Sequence, residues 1–259
     1  MLGGVDLLGE LGATRRYTYW SDRGVKRVAD SNNISLERGW RLGVKFPSAG
    51  LVPQAELTEE RRSVLRHEMA LRIESSIGQI AVEDFVTPPP ARFAKGVNRV
   101  TFSVYRRWNY TESADSEKKA VILHTRFAAS DGSRIEACLF GSIDNVAGHL
   151  GGSESLAAVW SSSSTWAIEE FIENRGLKTA AIYDDDESIA VEILRVLNNE
   201  GMTDKYVFTA DASSEWFAEV YKDVVLDKSR WDLRPGSDLP EPVDRILIGA
   251  PLWVRSISG

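Results

Sequence analysis

One cysteine, three histidines and no long apolar run set the first limits on this 259-residue chain. With Cys138 alone, no internal disulfide can form and a thiolate metal site lacks ligands; no metal is expected, and no cofactor. No apolar stretch approaches the roughly 20 residues a membrane helix needs. Residues 1–12 carry Asp6 and Glu10 in place of the basic start of a secretory signal, so a cytoplasmic location without membrane contact is expected. Positive charge is also in short supply. Lys and Arg number 31 against 38 Asp and Glu, for a net charge of −7, whereas a grip on nucleic acid requires a basic face that displaces counterions. Walker loop, Rossmann glycine fingerprint, kinase signature, zinc-protease histidine pair and Gly-x-Ser-x-Gly elbow are all missing, which removes the main nucleotide-handling enzymes and the common hydrolase signatures.

What is present is a chain with 43% hydrophobic residues, enough for a substantial core. Aromatic and polar residues alternate over 15–21 and predict a strand ended by Asp22-Arg23-Gly24. A second strand is predicted over 36–46. Thr58 caps a predicted helix whose apolar positions Leu65, Met69, Ile73, Ile77 and Ile80 recur at three and four until about Glu83, before Pro88-Pro89-Pro90. Strands follow over 97–108, 119–128 and 133–140, the last two joined by the turn Ser130-Asp131-Gly132-Ser133. Helical spacing marks 163–174, 187–200 and 214–227, and a final strand is predicted over 245–254. Strands at both ends with helices between them predict one α+β domain spanning 1–259. Its sheet is expected to be mainly antiparallel, with the C-terminal strand joining it and helices packed on it; a subdivision near Gly152 is the alternative.

The run from Cys138 to Gly152 stands out, because an apolar strand stops at Gly141-Ser142 and a short helical turn follows. Backbone N–H groups converge in that geometry, Ser142 can cap or bind an anion, and His149 lies at the far end of the turn. A simple capped turn explains the same residues, and Asp144 in its first turn would repel a phosphate. The acidic run from Tyr183 to Glu187 reads as helix capping and dipole compensation rather than a calcium loop. Arg61, Arg62, Arg66 and Arg72 interleave with Glu59, Glu60, Glu68 and Glu74 and read as a solvated helix face. Of eight tryptophans, Trp20, Trp160 and Trp231 fall near element ends, where a ring could stack on a base or sugar, but core or rim packing is the leading reading for all of them.

Three segments taken together carry a resemblance: Tyr17-Thr18-Tyr19-Trp20-Ser21-Asp22, Leu139-Phe140-Gly141-Ser142, and Arg245 to Val254 with its Gly249-Ala250-Pro251-Leu252 core. The chain resembles a group of bacterial, mainly actinobacterial, proteins known only as a domain of unknown function. These open on an aromatic strand followed by Ser-Asp, carry a strand ending in Gly-Ser and close on a Gly-x-Pro-Leu strand. The resemblance implies a bacterial protein with relatives proposed to act in biological conflict or signalling, and with no catalytic residues to carry over. It also implies that the three segments lie at the ends of adjacent strands and share one rim. The resulting candidate ligand-binding residues are Ser21, Asp22, Gly141, Ser142 and His149, and the expected activity is recognition of a small anionic ligand or partner protein. A hydrolase using Asp22 or Asp144 with His149, and a self-assembling interaction module, are the competing readings.

Overall fold

A computed structural model of the chain describes residues 16–36, 59–86, 88–106, 119–147, 185–198, 205–209, 213–231 and 243–257. The strands predicted over 36–46 and the helix over 163–174 lie outside the described residues, apart from Leu36. Three helices and nine strands are described: β1 (Tyr17–Trp20), α1 (Asp22–Ser31), α2 (Glu59–Ile77), β2 (Ala81–Val82), β3 (Phe93–Asn98), β4 (Val100–Arg106), β5 (Lys119–Ala128), β6 (Arg134–Ser142), α3 (Asp186–Asn198), β7 (Lys205–Thr209), β8 (Ser214–Val225) and β9 (Arg245–Ser256). The strands form one sheet in the order β2-β3-β8-β9-β6-β5-β4-β7, with β1 added to β9.

The α+β class holds, and the C-terminal strand lies in the sheet beside β8, β6 and β1. The expected mainly antiparallel sheet is corrected to a mixed one, because β2 runs parallel to β3 and β6 parallel to β9. The β6–β9 pairing accounts for this: the two strands are separated by a long crossover that includes α3, the kind of connection parallel neighbours require.

The largest departure from the sequence reading is β8, where a helix was predicted over 214–227. Trp216, Phe217, Val220, Tyr221 and Val224 mimic helical spacing because β8 and β9 each carry an unpaired residue: Tyr221 falls between paired Val220 and Lys222, and Leu252 between paired Pro251 and Trp253. A bulge lets two neighbouring residues face one side, which destroys the strict period of two. Leu252 and Trp253 accordingly enter the same core cluster. Another departure is α1, read as a turn at Asp22-Arg23-Gly24. Ser21 caps this helix by accepting a hydrogen bond from the Gly24 N–H at 3.1 Å, and only Val25, Val28 and Ala29 face the core. The predicted helix from Thr58 stops at Ile77, where Gly78 begins a 3₁₀ turn, and the strand predicted over 97–108 is two, β3 and β4, flanking Arg99.

Alternation along β6 and β9 divides the core. Cys138, Phe140, Ile246 and Ile248 pack beneath α3 with Ile189, Ile193 and Leu194, while Leu252, Trp253, Phe217 and Trp20 pack beneath α1 and α2 with Val25, Val28 and Ile73. Ala137, Leu139 and Leu247 face the other way, into a cluster with Phe102, Leu123 and Trp216. Strands β3 and β5 touch although three strands separate them, so the sheet curls around this last cluster.

Two buried arginines sit at the ends of β9. Arg245, 4% exposed, donates from Nε and Nη2 to the two oxygens of Asp223 on β8, each at 2.7 Å, and from Nη1 to the Phe85 carbonyl at 2.6 Å. Arg255, 1% exposed, donates to both oxygens of Glu215 on β8 at 2.8 and 2.6 Å and to Glu74 on α2 at 2.9 Å, with the Tyr17 hydroxyl at 3.5 Å. Burial pulls the Arg255 pKa down, but its carboxylate and Tyr17 partners outweigh that and hold it above the usual arginine value.

Removing one partner of such a buried pair strands the other charge, so Arg255→Ala is expected to cost about 3–5 kcal/mol in urea unfolding, against near-neutrality for an exposed control such as Lys26→Ala. At Gly249 an added Cβ would drive into the Glu219 carbonyl oxygen, whereas at Gly78 it meets nothing within 4 Å. Gly249→Ala should therefore lower the melting temperature clearly while Gly78→Ala leaves it equal or higher; equal effects would remove the close-approach explanation for Gly249.

Candidate functional site

Ser21, Gly141, Ser142 and the Gly249–Pro251 segment do come together. β9 is paired along one edge by β6 as far as Leu139 opposite Gly249, and along the same edge by β1 from Trp20 opposite Trp253. β6 runs with β9 and β1 runs against it, so the C-terminal ends of β1 and β6 meet over the stretch between Gly249 and Trp253. The Ser21 N–H donates to the Leu252 carbonyl at 2.9 Å, closing the junction. Beyond Ser142 the chain continues along the outer edge of β1, where Val146 bridges Tyr19 and the Ala147 N–H donates to the Thr18 carbonyl at 2.9 Å. β1 is thus wedged between β9 and the continuation of β6. Pro251, with no N–H to donate, sits where β9 changes partner, a position a central strand rarely offers.

Tyr19 is the residue that unites this junction, and the sequence reading treated it only as an aromatic in a strand. Its ring occupies the space a Cβ on Gly141 would take. Its hydroxyl accepts a hydrogen bond from Asn145 Nδ2 at 3.1 Å and also bonds the Ser142 main chain and the Ser21 side chain. Burial pushes the phenol up to about 12. The junction is therefore filled by the protein's own tyrosine.

The hydroxyls predicted to bind an anion are likewise engaged. Ser21 caps α1, and Ser142 accepts from the Asp144 N–H and donates to Asp144 Oδ2, both at 3.3 Å, in a 3₁₀ turn of three residues. His149 lies outside the described residues, as do Trp160 and the first part of the acidic run. Asp185 in that run caps α3, accepting from the Glu187 N–H at 3.0 Å and the Ser188 hydroxyl at 2.8 Å. A hydrogen bond from Arg230 leads the causes that pull its carboxyl down to about 2.

Asp22 points to a different place. Trp20 donates its indole N–H to Asp22 Oδ1 at 2.6 Å, and the Arg66 guanidinium lies over the Trp20 ring, 5.8 Å from its centroid. Asp22, Leu65, Arg66 and Met69 line a half-open cleft of about 220 Å³ between the start of α1 and the first half of α2. Among the described residues it joins two apolar side chains, Leu65 and Met69, to one charge of each sign. The sequence signal for it was the Arg66 and Met69 pair on the helix from Thr58, taken there as solvated face and core face separately.

A second titratable group gathers on the α3 side of the sheet. Glu136, 1% exposed, accepts from His124 Nε2 at 2.5 Å on one oxygen and from Arg126 Nε at 2.7 Å on the other. An ionised carboxylate can only accept, so Nε2 carries the proton. Burial raises the Glu136 pKa, but the hydrogen bond and charge of His124, with Arg126, outweigh it and hold it below the usual value. Cys138 stands directly opposite His124 in the register, fully buried, and burial keeps its thiol protonated. Among the described residues no group of three His, Cys, Asp or Glu side chains is arranged to hold a metal, and no helix is long and apolar enough to cross a membrane.

No protein-family model matches the chain, and no curated protein and no solved structure matches it either.

Because the Glu136 pKa is lower folded than unfolded, the group adds stability that is fully present above the unfolded value near 4.5 and is lost as pH falls through the folded value. Glu136→Gln is expected to be less stable at pH 7 and to lose less stability than wild type between pH 5 and about 3 in urea titrations. Parallel pH curves would assign that acid dependence to other carboxylates.

Proposed function

We propose that the protein is a binding module that takes a small ligand bearing an anionic group into the cleft between α1 and α2. One observation carries this reading: the buried charges of the sheet are spent on one another, in the Arg245–Asp223, Arg255–Glu215–Glu74 and Glu136–His124–Arg126 sets, whereas Arg66 and Asp22 line an open cleft where, among the described residues, each contacts the Trp20 indole and no ion pair joins them. Arg66 is the ionic contact in this reading, since a guanidinium offers a planar fork of donors matched to carboxylate or phosphate oxygens. Leu65 and Met69 supply the apolar surface on which the body of the ligand rests. The wall is built on helices and not on loops, so its groups are held in place before the ligand arrives.

A ligand that binds the folded chain alone stabilises it by about 2.7 kcal/mol at one hundred times its dissociation constant. Thermal-shift and calorimetric titration against phosphates and small carboxylates, free amino acids among them, is expected to give at least one stabilising ligand, and Arg66→Gln is expected to abolish that response while leaving the unliganded melting temperature within about 2 °C. Absence of any response across the panel, or a response that Arg66→Gln leaves intact, would overturn this assignment.

A further inference from the structure

We infer that the ligand of this cleft is a zwitterion with an apolar body, the chemistry of a free apolar α-amino acid, with Arg66 holding its carboxylate and Asp22 its ammonium. The inference rests on reading the cleft as a binding site and goes beyond it by fixing the charges a ligand must carry.

Four features lead there. Among the described residues the cleft is lined by one guanidinium and one carboxylate, and no ion pair joins them: Asp22 lies at the edge of the Trp20 indole and Arg66 over its face. A simple anion drawn to Arg66 would meet the Asp22 carboxylate in the same small space, and a simple cation drawn to Asp22 would meet the guanidinium. Either arrangement sets a like charge against the ligand and loses specificity by repulsion. A molecule carrying both signs satisfies both groups at once, with each charge-assisted hydrogen bond stronger than a neutral one. Among the described residues Oδ1 of Asp22 is engaged by the indole N–H, which orients the carboxylate and leaves Oδ2 as acceptor for an ammonium group. Leu65 and Met69 are half-buried side chains of the same wall. Methionine's unbranched, polarizable chain adapts to apolar groups of differing shape, so the wall fits aliphatic and aromatic bodies alike. The cleft's volume, about 220 Å³, lies below the roughly 300–1,000 Å³ of pockets for drug-sized ligands, which favours a molecule of amino-acid size over a nucleotide or an extended peptide.

The test is calorimetry of the full chain with L-leucine, L-methionine and L-phenylalanine, each compared with its N-acetyl derivative, which lacks the ammonium, and its amide, which lacks the carboxylate. At least one free amino acid is expected to bind, and both of its derivatives to bind at least tenfold more weakly. Asp22→Asn keeps an oxygen for the Trp20 indole and should weaken the amino acid at least tenfold while narrowing its advantage over the N-acetyl derivative. Arg66→Gln should narrow its advantage over the amide in the same way. An N-acetyl derivative that binds as tightly as its parent would overturn the zwitterion and leave an anion-binding cleft standing. If no amino acid, derivative or simple anion binds, the cleft reading fails and this inference with it. Binding that neither substitution alters places the ligand elsewhere and overturns both.

Discussion

The pairing of β8 with β9 is pinned at both ends by buried arginine–carboxylate contacts, and the rest of the described structure is arranged around that constraint. Both strands are 12 residues long, and their ends align, Ser214 with Ser256 and Val225 with Arg245. Between the ends each strand carries one bulged residue, Tyr221 on β8 and Leu252 on β9, so the two insertions cancel and both pins are satisfied together. A single bulge would shift one end by a residue and turn either the Asp223 or the Glu215 side chain to the wrong face. Buried ion pairs add little net stability compared with apolar packing of equal volume, since desolvation consumes most of their attraction. Their effect here is on register: slipped pairings leave a guanidinium buried without its carboxylate.

That register reaches the cleft through short steps. The bulge at Leu252 presents its carbonyl to the Ser21 N–H, which ends β1 and starts α1. Asp22 follows immediately and is held by the indole of Trp20, itself stacked on Trp253 with centroids 5.9 Å apart. The opposite wall is set from the same group, because α2 is tied by Glu74, about two turns beyond Arg66, to the Arg255 that fixes the β8–β9 pairing. Both sides of the cleft therefore refer back to one buried guanidinium. Moving that group would displace Asp22 and Arg66 relative to each other without touching either.

Much of this architecture was legible where one local pattern acted alone. The strand over 119–128 was read with its full bounds, because alternation and the flanking turn agreed, and Gly132 takes the positive φ that the Ser130–Ser133 turn demands. Acidic residues before α3 were read correctly as capping, since that requires only neighbours in sequence. The reading failed where tertiary partners override local pattern. The bulge at Tyr221 made β8 look helical, and Gly24 made the first turn of α1 look like a loop, although Ser21 satisfies its backbone. The convergence of Ser21, Gly141 and Ser142 was anticipated as a rim, but not that Tyr19 fills it. Nothing in the order of residues says that an aromatic from β1 lies over a glycine more than a hundred positions away. Arg255, Glu215 and Glu74 were equally hidden, being ordinary charged residues until the sheet brings them together.

The row Cys138, His124, Glu136 shows why alignment of reactive residue types is weaker ground than access. A thiol opposite a histidine, with a carboxylate on that histidine, has the chemical ingredients of a nucleophile and its base. Yet the thiol is fully buried, and both burial and the neighbouring Glu136 charge favour its protonated form, the state that neither attacks nor binds metal. Glu136 in turn divides its two oxygens between His124 and Arg126, so the histidine is tied into a cross-strand contact between β5 and β6 and not presented to a substrate. The same accounting, applied across the described residues, separates charges the fold consumes from charges it leaves at an opening. Asp22 and Arg66 belong to the second kind. One meets the edge of the Trp20 indole and the other its face, and no ion pair joins them.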